Sequence, residues 1–183
     1  MSHELLNDSP QAVVGIDIGT SASGYAFAFF DTPDSIHHGG LSGNVKYHKA
    51  PTVLWTDSDF EFRAFGLDAL EGYSQDSYGD REDSLIFSNF KLCLVNAQTD
   101  PEITLNNGNT YSLLDVMTKT IRHIKDEAML KLRSTLGSLF NEQRIIWVVT
   151  VPAMWSEFAK HFMRRAAFQA GLMDSEDSSR LIL

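Results

Sequence analysis

The chain has 183 residues, a formal net charge of −9 and 43% hydrophobic residues, which fits one folded domain with a sizeable core. The acidic balance argues against a nucleic-acid partner, no apolar run approaches a membrane span, and no basic residue precedes Lys46, so a secretory signal peptide is not expected. Cys93 is the only cysteine, which excludes an internal disulfide and predicts a reducing, cytoplasmic location.

Two short apolar runs, residues 13–18 and 25–30, follow a polar arm over residues 1–10 that we expect to be flexible. The first run is rich in β-branched residues and the second alternates aromatic residues with alanine, so each predicts a strand. Small residues between them predict a hairpin whose tip exposes backbone N–H groups. Such a tip can bind a phosphate, because successive N–H dipoles converge on an anion.

Asp17 is the charged residue of the first strand. A carboxylate there is costly to bury without a cation or hydrogen-bond donors, and hydrated Mg²⁺ is the natural partner beside a phosphate. The turn composition is equally compatible with a plain hairpin and a surface or strained Asp17, so that alternative stays open. A Walker A loop and a dinucleotide fingerprint are excluded, because no lysine follows Gly24 and the tip leads into a strand.

The next stretch, residues 31–44, is rich in Asp, Gly, Ser and His and predicts a loop. Its His37 and His38 are interpreted as solvated side chains. Neighbouring histidines on a strand would point to opposite faces, and no cysteine or carboxylate cluster stands nearby. Residues 45–49 predict a third strand.

Residues 50–110 combine short strands with one short helix. Apolar composition and alternation predict strands over residues 52–56 and 60–64, followed by a helix over 67–73 and a polar loop over 74–83. The Asn-Gly sequence within residues 106–109 predicts the tip of another hairpin.

Lys91 lies among apolar residues and has two interpretations. In one, its aliphatic stem packs against the core while its ammonium reaches water. In the other, the ammonium is a cation aimed at a terminal phosphate or an attacking water. Cys93, close by, is predicted to be a small buried side chain rather than a reactive thiol.

A long amphipathic helix is predicted after the hairpin. Ser112 is its expected N-cap and Gly137 its expected end, and apolar residues recur at three- and four-residue steps between them. His123 has charged neighbours in sequence and is predicted to lie on a solvated face. Neither it nor its neighbours indicate a proton-transfer site.

The remainder of the chain predicts strand, helix and strand. Residues 144–151 form an apolar run with charged flanks, typical of a central strand, and Pro152 ends it. Ser156 is predicted to cap a second amphipathic helix, and His161 is expected to be exposed beside the charged residues of that helix. A final strand begins at Arg180.

Three stretches in this order resemble a known family. Residues 17–21 read Asp-Ile-Gly-Thr-Ser and resemble the first phosphate motif of the actin-like ATPase superfamily. Residues 147–155 resemble the Val-Thr-Val-Pro-Ala strand and turn of the heat shock 70 kDa chaperones, and Lys91 lies where that family carries its catalytic lysine. The Met-Trp pair at residues 154–155 is most like the divergent heat shock 70 kDa protein 12 branch. The match extends from about Val13 to the last residue.

The resemblance implies how ATP or ADP would be held. The backbone of Gly19, Thr20, Ser21 and Ala22 would bind the β- and γ-phosphates, and Asp17 would hold Mg²⁺ through water. The standard chaperones carry a Tyr at the position of Ala22. A backbone contact survives that change, whereas a side-chain contact does not.

The resemblance also implies roles in catalysis and switching. Thr20 and Lys91 would orient the lytic water or stabilise charge on the γ-phosphate, which is the dominant contribution in phosphoryl transfer. Pro152 would be the switch residue that relays the nucleotide state, with Trp155 packed beside it.

Antiparallel strands followed by helix, strand, helix and strand predict an α/β mixed sheet flanked by helices. The resemblance implies the ribonuclease-H-like lobe that actin-like ATPases use twice, with a small α+β inserted subdomain. Residues 11–49 and 111–183 would form the core subdomain of lobe I. Residues 50–110 would form the inserted subdomain that carries Lys91.

The function implied is that of the N-terminal lobe of an ATP-binding, chaperone-like ATPase of the stress response. The second lobe, with its own phosphate loop and the adenine pocket, would come from a longer parent protein, so this chain alone is expected to bind nucleotide weakly at best and to hydrolyse none. Protein clients and nucleotide-exchange factors are the expected partners of the parent, and a bare lobe interface would favour self-association.

Two alternatives stay open. A non-catalytic binding or regulatory module could keep the actin-like fold without the ATP chemistry, since fold does not imply function. A sugar or acetate kinase of the same superfamily is disfavoured by residues 151–153 and by the register of Lys91.

Overall fold

The computed structural model describes residues 9–41, 48–76 and 84–183. It contains two sheets, a short hairpin and three α-helices within these residues. The strands are β1 (Ala12–Ile18), β2 (Ala22–Phe29), β3 (Thr32–His38), β4 (Ala50–Pro51), β5 (Val53–Asp57), β6 (Phe62–Phe65), β7 (Ser84–Ser88), β8 (Glu102–Thr104), β9 (Thr110–Ser112), β10 (Ile145–Thr150) and β11 (Leu181–Ile182). The α-helices are α1 (Leu67–Asp76), α2 (Leu113–Leu136) and α3 (Glu157–Gln169).

The larger sheet is mixed and has the order β11-β10-β1-β2-β3, with β4 paired to β2. β1 runs antiparallel to β2 and parallel to β10, and β10 runs parallel to β11. Helices α2 and α3 connect β9 to β10 and β10 to β11. The predicted ribonuclease-H-like mixed sheet flanked by helices is therefore confirmed.

The core forms where the alternating strands meet the apolar stripes of the helices. Every second residue of β1 is buried, which is the pattern expected of a strand with one face against helices. Trp147 of β10 and Phe162 of α3 are also fully buried in the same cluster. The predicted stripe of α2 is buried throughout: Leu113, Leu114, Met117, Ile121, Ile124, Ala128 and Leu132.

Capping residues set the helix ends as predicted. The Ser112 hydroxyl accepts a hydrogen bond from the Asp115 amide at the start of α2, and the Ser156 hydroxyl accepts one from the Ala159 amide at the start of α3. Helix α2 ends at Gly137, whose φ of 56° is in the left-handed region that glycine adopts without a steric penalty.

The second sheet has the order β6-β5-β7, and helix α1 packs on it. Helix α1 begins where predicted and continues to Asp76, into the stretch expected to be a loop. The division into core and inserted subdomains stays a prediction. No helix in residues 9–41, 48–76 and 84–183 combines the length and apolar character needed to cross a membrane.

The prediction of a loop over residues 31–44 is wrong where β3 forms. β3 is the edge strand of the larger sheet, and most of its side chains are exposed. The two histidines therefore lie on a strand: the His37 ring stacks on Phe27 at a centroid distance of 5.0 Å, and the His38 ring lies 4.6 Å from that of His48. The strand predicted over 45–49 falls mainly outside the described residues, and its last two positions form no strand.

The prediction of a buried Cys93 is also wrong, because its thiol is exposed. Residues Phe90–Leu94 form a 3₁₀ helix, in which three residues complete one turn. This geometry turns Phe90, Lys91 and Leu94 inward and leaves Cys93 facing solvent.

His123 is largely buried, contrary to the prediction of a solvated face. Its ring stacks on Phe62 at a centroid distance of 5.0 Å and lies 5.4 Å from the ring of Phe65. Its Nε2 is buried and has no hydrogen-bond partner among the residues that the structure describes. The aromatic residues come from β6, so the local sequence of α2 carries no sign of this contact.

We expect His123 to make the protein less stable in mild acid. Burial lowers the pKa of His123 below its ordinary value, although Glu127 and the Leu41 carbonyl oppose the shift. The unfolded chain thus takes up a proton at a higher pH than the folded one, so the stabilisation is present above the unfolded pKa and is lost as the pH falls through the folded pKa. Urea unfolding at about pH 7.5 and about pH 5 should show a larger loss for the protein than for His123→Phe.

The control is His161→Gln, because His161 lies on the exposed face of α3. This variant should follow the protein at both pH values. An equal loss of stability in the protein and in His123→Phe would contradict the prediction.

Candidate functional site

The tip of the β1–β2 hairpin is tighter than predicted, since β1 ends at Ile18 and β2 begins at Ala22. The Gly19 amide donates a hydrogen bond to the Ala22 carbonyl at 3.1 Å. A Cβ atom at Gly19 would overlap that same carbonyl oxygen. Glycine is therefore required here to close the hairpin, and its amide is already used within it.

Thr52 binds the hairpin tip through hydrogen bonds from its side chain and its backbone. Its hydroxyl donates to the Gly19 carbonyl at 2.8 Å and lies 2.7 Å from the buried Ser23 hydroxyl. Its amide donates to the Ser21 carbonyl at 3.0 Å. Because Thr52 directly follows β4, the pairing of β4 with β2 positions Thr52 for these hydrogen bonds.

Asp17 lies near the end of β1, and two side-chain donors already contact its carboxylate. Thr150, its neighbour in register on β10, donates to Asp17 Oδ1 at 2.8 Å, and the Lys49 ammonium contacts Oδ2. Partial burial raises the pKa of Asp17, but hydrogen bonds from Lys49 and Thr150 and nearby positive charge outweigh it, so the pKa lies below its ordinary value. The carboxylate is therefore ionised at neutral pH.

Lys91 is brought to the end of β1 by the 3₁₀ helix. The residue is 8% exposed, its ammonium donates to the Ile18 carbonyl, and its Nζ lies 5.0 Å from the centre of the Trp155 ring. Burial lowers the pKa of Lys91 below its ordinary value, although the charge of Asp17 opposes the shift. The ammonium thus faces the strand end and an aromatic ring.

Four of the predicted site residues line one pocket of about 520 Å³. Thr20 comes from the hairpin tip, Lys91 from the 3₁₀ helix, and Pro152 and Trp155 from the turn between β10 and α3. The rest of the lining is mainly apolar: Leu92, Leu94, Val95, Asn96, Met154 and Ser156. Residues far apart in sequence therefore combine a buried cation and a hydroxyl with an apolar wall.

The other predicted residues lie outside this lining. Gly19, Ser21 and Ala22 form the hairpin tip and its first paired residue, and Asp17 is close enough for its charge to act on Lys91. Sequence reasoning missed Lys49 and Thr150. Pairing of the predicted strands could have placed Thr150 beside Asp17, whereas no local signal marks Lys49.

Asp17 fits a hydrated cation better than a directly coordinated one. No three His, Cys, Asp or Glu side chains gather as a metal cluster within the described parts of the chain. The Asp17 side chain is 42% exposed, and a carboxylate oxygen can accept more than one hydrogen bond. Water molecules of a hydrated Mg²⁺ could therefore reach it, which suits the tendency of this ion to keep its waters.

Topology and chain order together define the class of fold. Strands β1, β2 and β3 pair antiparallel and precede helix α2, the parallel strand β10, helix α3 and the further parallel strand β11, which is the ribonuclease-H-like arrangement that the sequence predicts. Among solved structures, MreB5 of Spiroplasma citri bound to ADP covers 94% of this chain, which spans 37% of that one, with 12% identity and a TM-score of 0.48. No protein-family model matches the chain.

Curated relatives indicate which branch of the heat shock 70 kDa proteins the chain is similar to. Human heat shock 70 kDa protein 12A is 35% identical over 179 residues, and human heat shock 70 kDa protein 12B is 36% identical over 180 residues. Each alignment covers 93% of this chain and 26% of the relative. The chain is thus similar over nearly all its length to proteins of the heat shock 70 kDa protein 12 branch, the branch that its motifs resemble. It spans about a quarter of the length of these relatives.

Proposed function

We propose that this chain is the N-terminal lobe of an ATP-binding, chaperone-like ATPase of the heat shock 70 kDa type. The observation that carries the proposal is the position of the Lys91 ammonium in the wall of the pocket that it shares with Thr20. The similarity to heat shock 70 kDa proteins 12A and 12B supports it.

The chemistry of the pocket suits a phosphate. An ammonium removed from bulk water attracts an anion more strongly than a surface lysine does, because the local dielectric is lower. Lys91 would meet a terminal phosphate oxygen and the Thr20 hydroxyl would donate to it, forming charge-assisted hydrogen bonds. In this proposal the hairpin backbone from Gly19 to Ala22 contacts the phosphates, and Asp17 holds hydrated Mg²⁺, whose positive charge offsets that of the phosphates.

Hydrolysis belongs to the proposal for the whole protein. A second lobe would enclose the nucleotide, Lys91 and Thr20 would orient the lytic water or stabilise the developing charge, and Pro152 beside Trp155 would relay the nucleotide state. We infer that client proteins and nucleotide-exchange factors bind this larger assembly, in the cytoplasm and under stress. The surface intended for the second lobe would also let isolated chains associate.

A non-catalytic module is the second candidate, and two contacts favour it. Lys49 already neutralises Asp17, and the Gly19 amide is already paired with the Ala22 carbonyl. The Asp17 carboxylate and the Gly19 amide thus have partners within the lobe and need no ligand. In this case the fold would serve as a binding or regulatory scaffold.

Lys91→Met is expected to weaken nucleotide binding by about tenfold or more, since a charge-assisted hydrogen bond to phosphate contributes about 1.5–3 kcal/mol. Methionine keeps the buried stem and removes the charge. The measurement is calorimetric titration of Mg-ADP and Mg-ATP into the 183-residue chain and the variant at one salt concentration.

Lys131→Met is the matched control, because it removes the same charge from an exposed position on α2. It should bind nucleotide as the unchanged protein does, and thermal melts should show that both variants are folded. Equal affinity in Lys91→Met would contradict the proposed role of the pocket. Absent nucleotide binding both by this chain and by the parent protein extended through a second lobe would favour the non-catalytic module.

A further inference from the structure

Lys49 is held beside Asp17 by the backbone that precedes β4. Residues His48 and Lys49 cross directly over Gly24 of β2, where a Cβ atom would overlap the His48 carbonyl oxygen and crowd the Lys49 side chain. Immediately after them, β4 pairs with Ala22 and Ser23. The crossing and the pairing fix where the Lys49 stem begins, so its ammonium reaches Asp17 as part of the fold.

The ion pair that results is open to solvent. The Lys49 side chain is 51% exposed and that of Asp17 is 42% exposed. Exposed ion pairs contribute little to stability, because water and salt screen them. A pair of this kind can therefore be replaced by another cation without unfolding its surroundings.

Thr150 makes the two oxygens of Asp17 unequal. Its hydroxyl donates to Oδ1, while Lys49 contacts Oδ2. The hydroxyl is neutral and can stay in place when a cation arrives, whereas the ammonium repels one. The contact that a hydrated divalent cation must replace is therefore the one made by Lys49.

We propose that Lys49 is an internal competitor that occupies Asp17 until a hydrated divalent cation displaces it. The inference deepens the proposed function, since it rests on the proposed role of Asp17 in holding such a cation. Two states of the lobe follow. In one, Lys49 neutralises Asp17. In the other, the cation does so and the Lys49 ammonium is released beside the hairpin tip, where it can meet a phosphate.

Mn²⁺ alone is the probe, since its free form can be counted by electron paramagnetic resonance. The Lys49→Met variant should bind Mn²⁺ about threefold to fivefold more tightly than the unchanged chain, the range set by the small strength of an exposed ion pair. Lys131→Met, which makes the same change in net charge, should not. Asp17→Asn introduced into Lys49→Met should abolish the gain.

Three results would overturn the proposal: equal Mn²⁺ affinity in Lys49→Met and Lys131→Met, a gain that survives Asp17→Asn, or no Mn²⁺ binding by any of the proteins. Lys49→Gln provides a second variant if the methionine variant does not fold. ADP titrations with Mn²⁺ or with a chelator distinguish failure of the proposed nucleotide-binding function from failure of the proposed role of Lys49. Absent ADP binding by the parent protein extended through a second lobe would contradict the proposed function, while the Mn²⁺ comparison would still decide the role of Lys49.

Discussion

Replacing Trp147 by alanine is expected to lower the free energy of unfolding by about 3–5 kcal/mol, as large-to-small changes of buried aromatic residues do. Trp147 is fully buried, in register with Val14 of β1 and Leu181 of β11. Its removal leaves a cavity where the larger sheet meets the helices, and the parallel strands on both sides limit how far the cavity can collapse. Urea unfolding followed by circular dichroism gives the change as a shift of the midpoint.

Met154→Ala is the control for this measurement. Its side chain is 91% exposed, and surface substitutions of this kind usually change stability by less than about 0.5 kcal/mol. Trp147→Phe should fall between the two, because it keeps an aromatic ring and loses only part of the volume. A midpoint for Trp147→Ala as close to the unchanged protein as that of Met154→Ala would show that this strand does not lie in the core.

The helices and the inner strands of the larger sheet could be predicted because their signals are local. The stripe of α2, the caps Ser112 and Ser156, and the apolar runs of β1 and β10 each lie within a few residues of one another. Such segments carry both their periodicity and their boundaries in the sequence. Chain order then sufficed for the mixed sheet, since few topologies connect these elements.

β3 could not be predicted because its sequence favours a turn. Pro33 and Asp34 are depleted in strands, Ser35 is common in turns, and the side chains of β3 are mostly exposed. What makes the segment a strand is its backbone pairing with β2, which a tight reversal after Phe29 brings into reach. Pairing with the preceding strand thus overrides local preference.

Some residues of the candidate site could likewise be predicted from the sequence, whereas their contacts could not. Resemblance to a family singled out Asp17, Thr20 and Lys91, but the cation and the hydroxyl that satisfy Asp17 lie 32 and 133 residues away from it in sequence. Composition and periodicity say nothing about contacts at such separations. They depend on strand register and on the close crossing over β2, which only the folded chain reveals.

Gly19→Ala is expected to destabilise the protein by about 2–3 kcal/mol, the range for an overpacked site that also loses a hydrogen bond. The new methyl group would overlap the Ala22 carbonyl, so the hairpin tip must open. Opening breaks the hydrogen bond between Gly19 and Ala22 and moves the Gly19 carbonyl away from the Thr52 hydroxyl. Urea unfolding measures the loss, and nucleotide titration of the folded variant measures the effect on binding.

Gly15→Ala is the matched control, because it makes the same change inside β1, the strand that leads to the hairpin tip. A Cβ atom there would have the Ala26 carbonyl oxygen as its nearest neighbour at 3.8 Å, an ordinary van der Waals contact. Alanine also reduces the freedom of the unfolded chain, so this variant should be as stable as the unchanged protein or slightly more so. If both variants unfold at the same urea concentration, the requirement for glycine at the tip is wrong. If only Gly19→Ala is destabilised but binds nucleotide normally, that glycine serves the hairpin and not the phosphate.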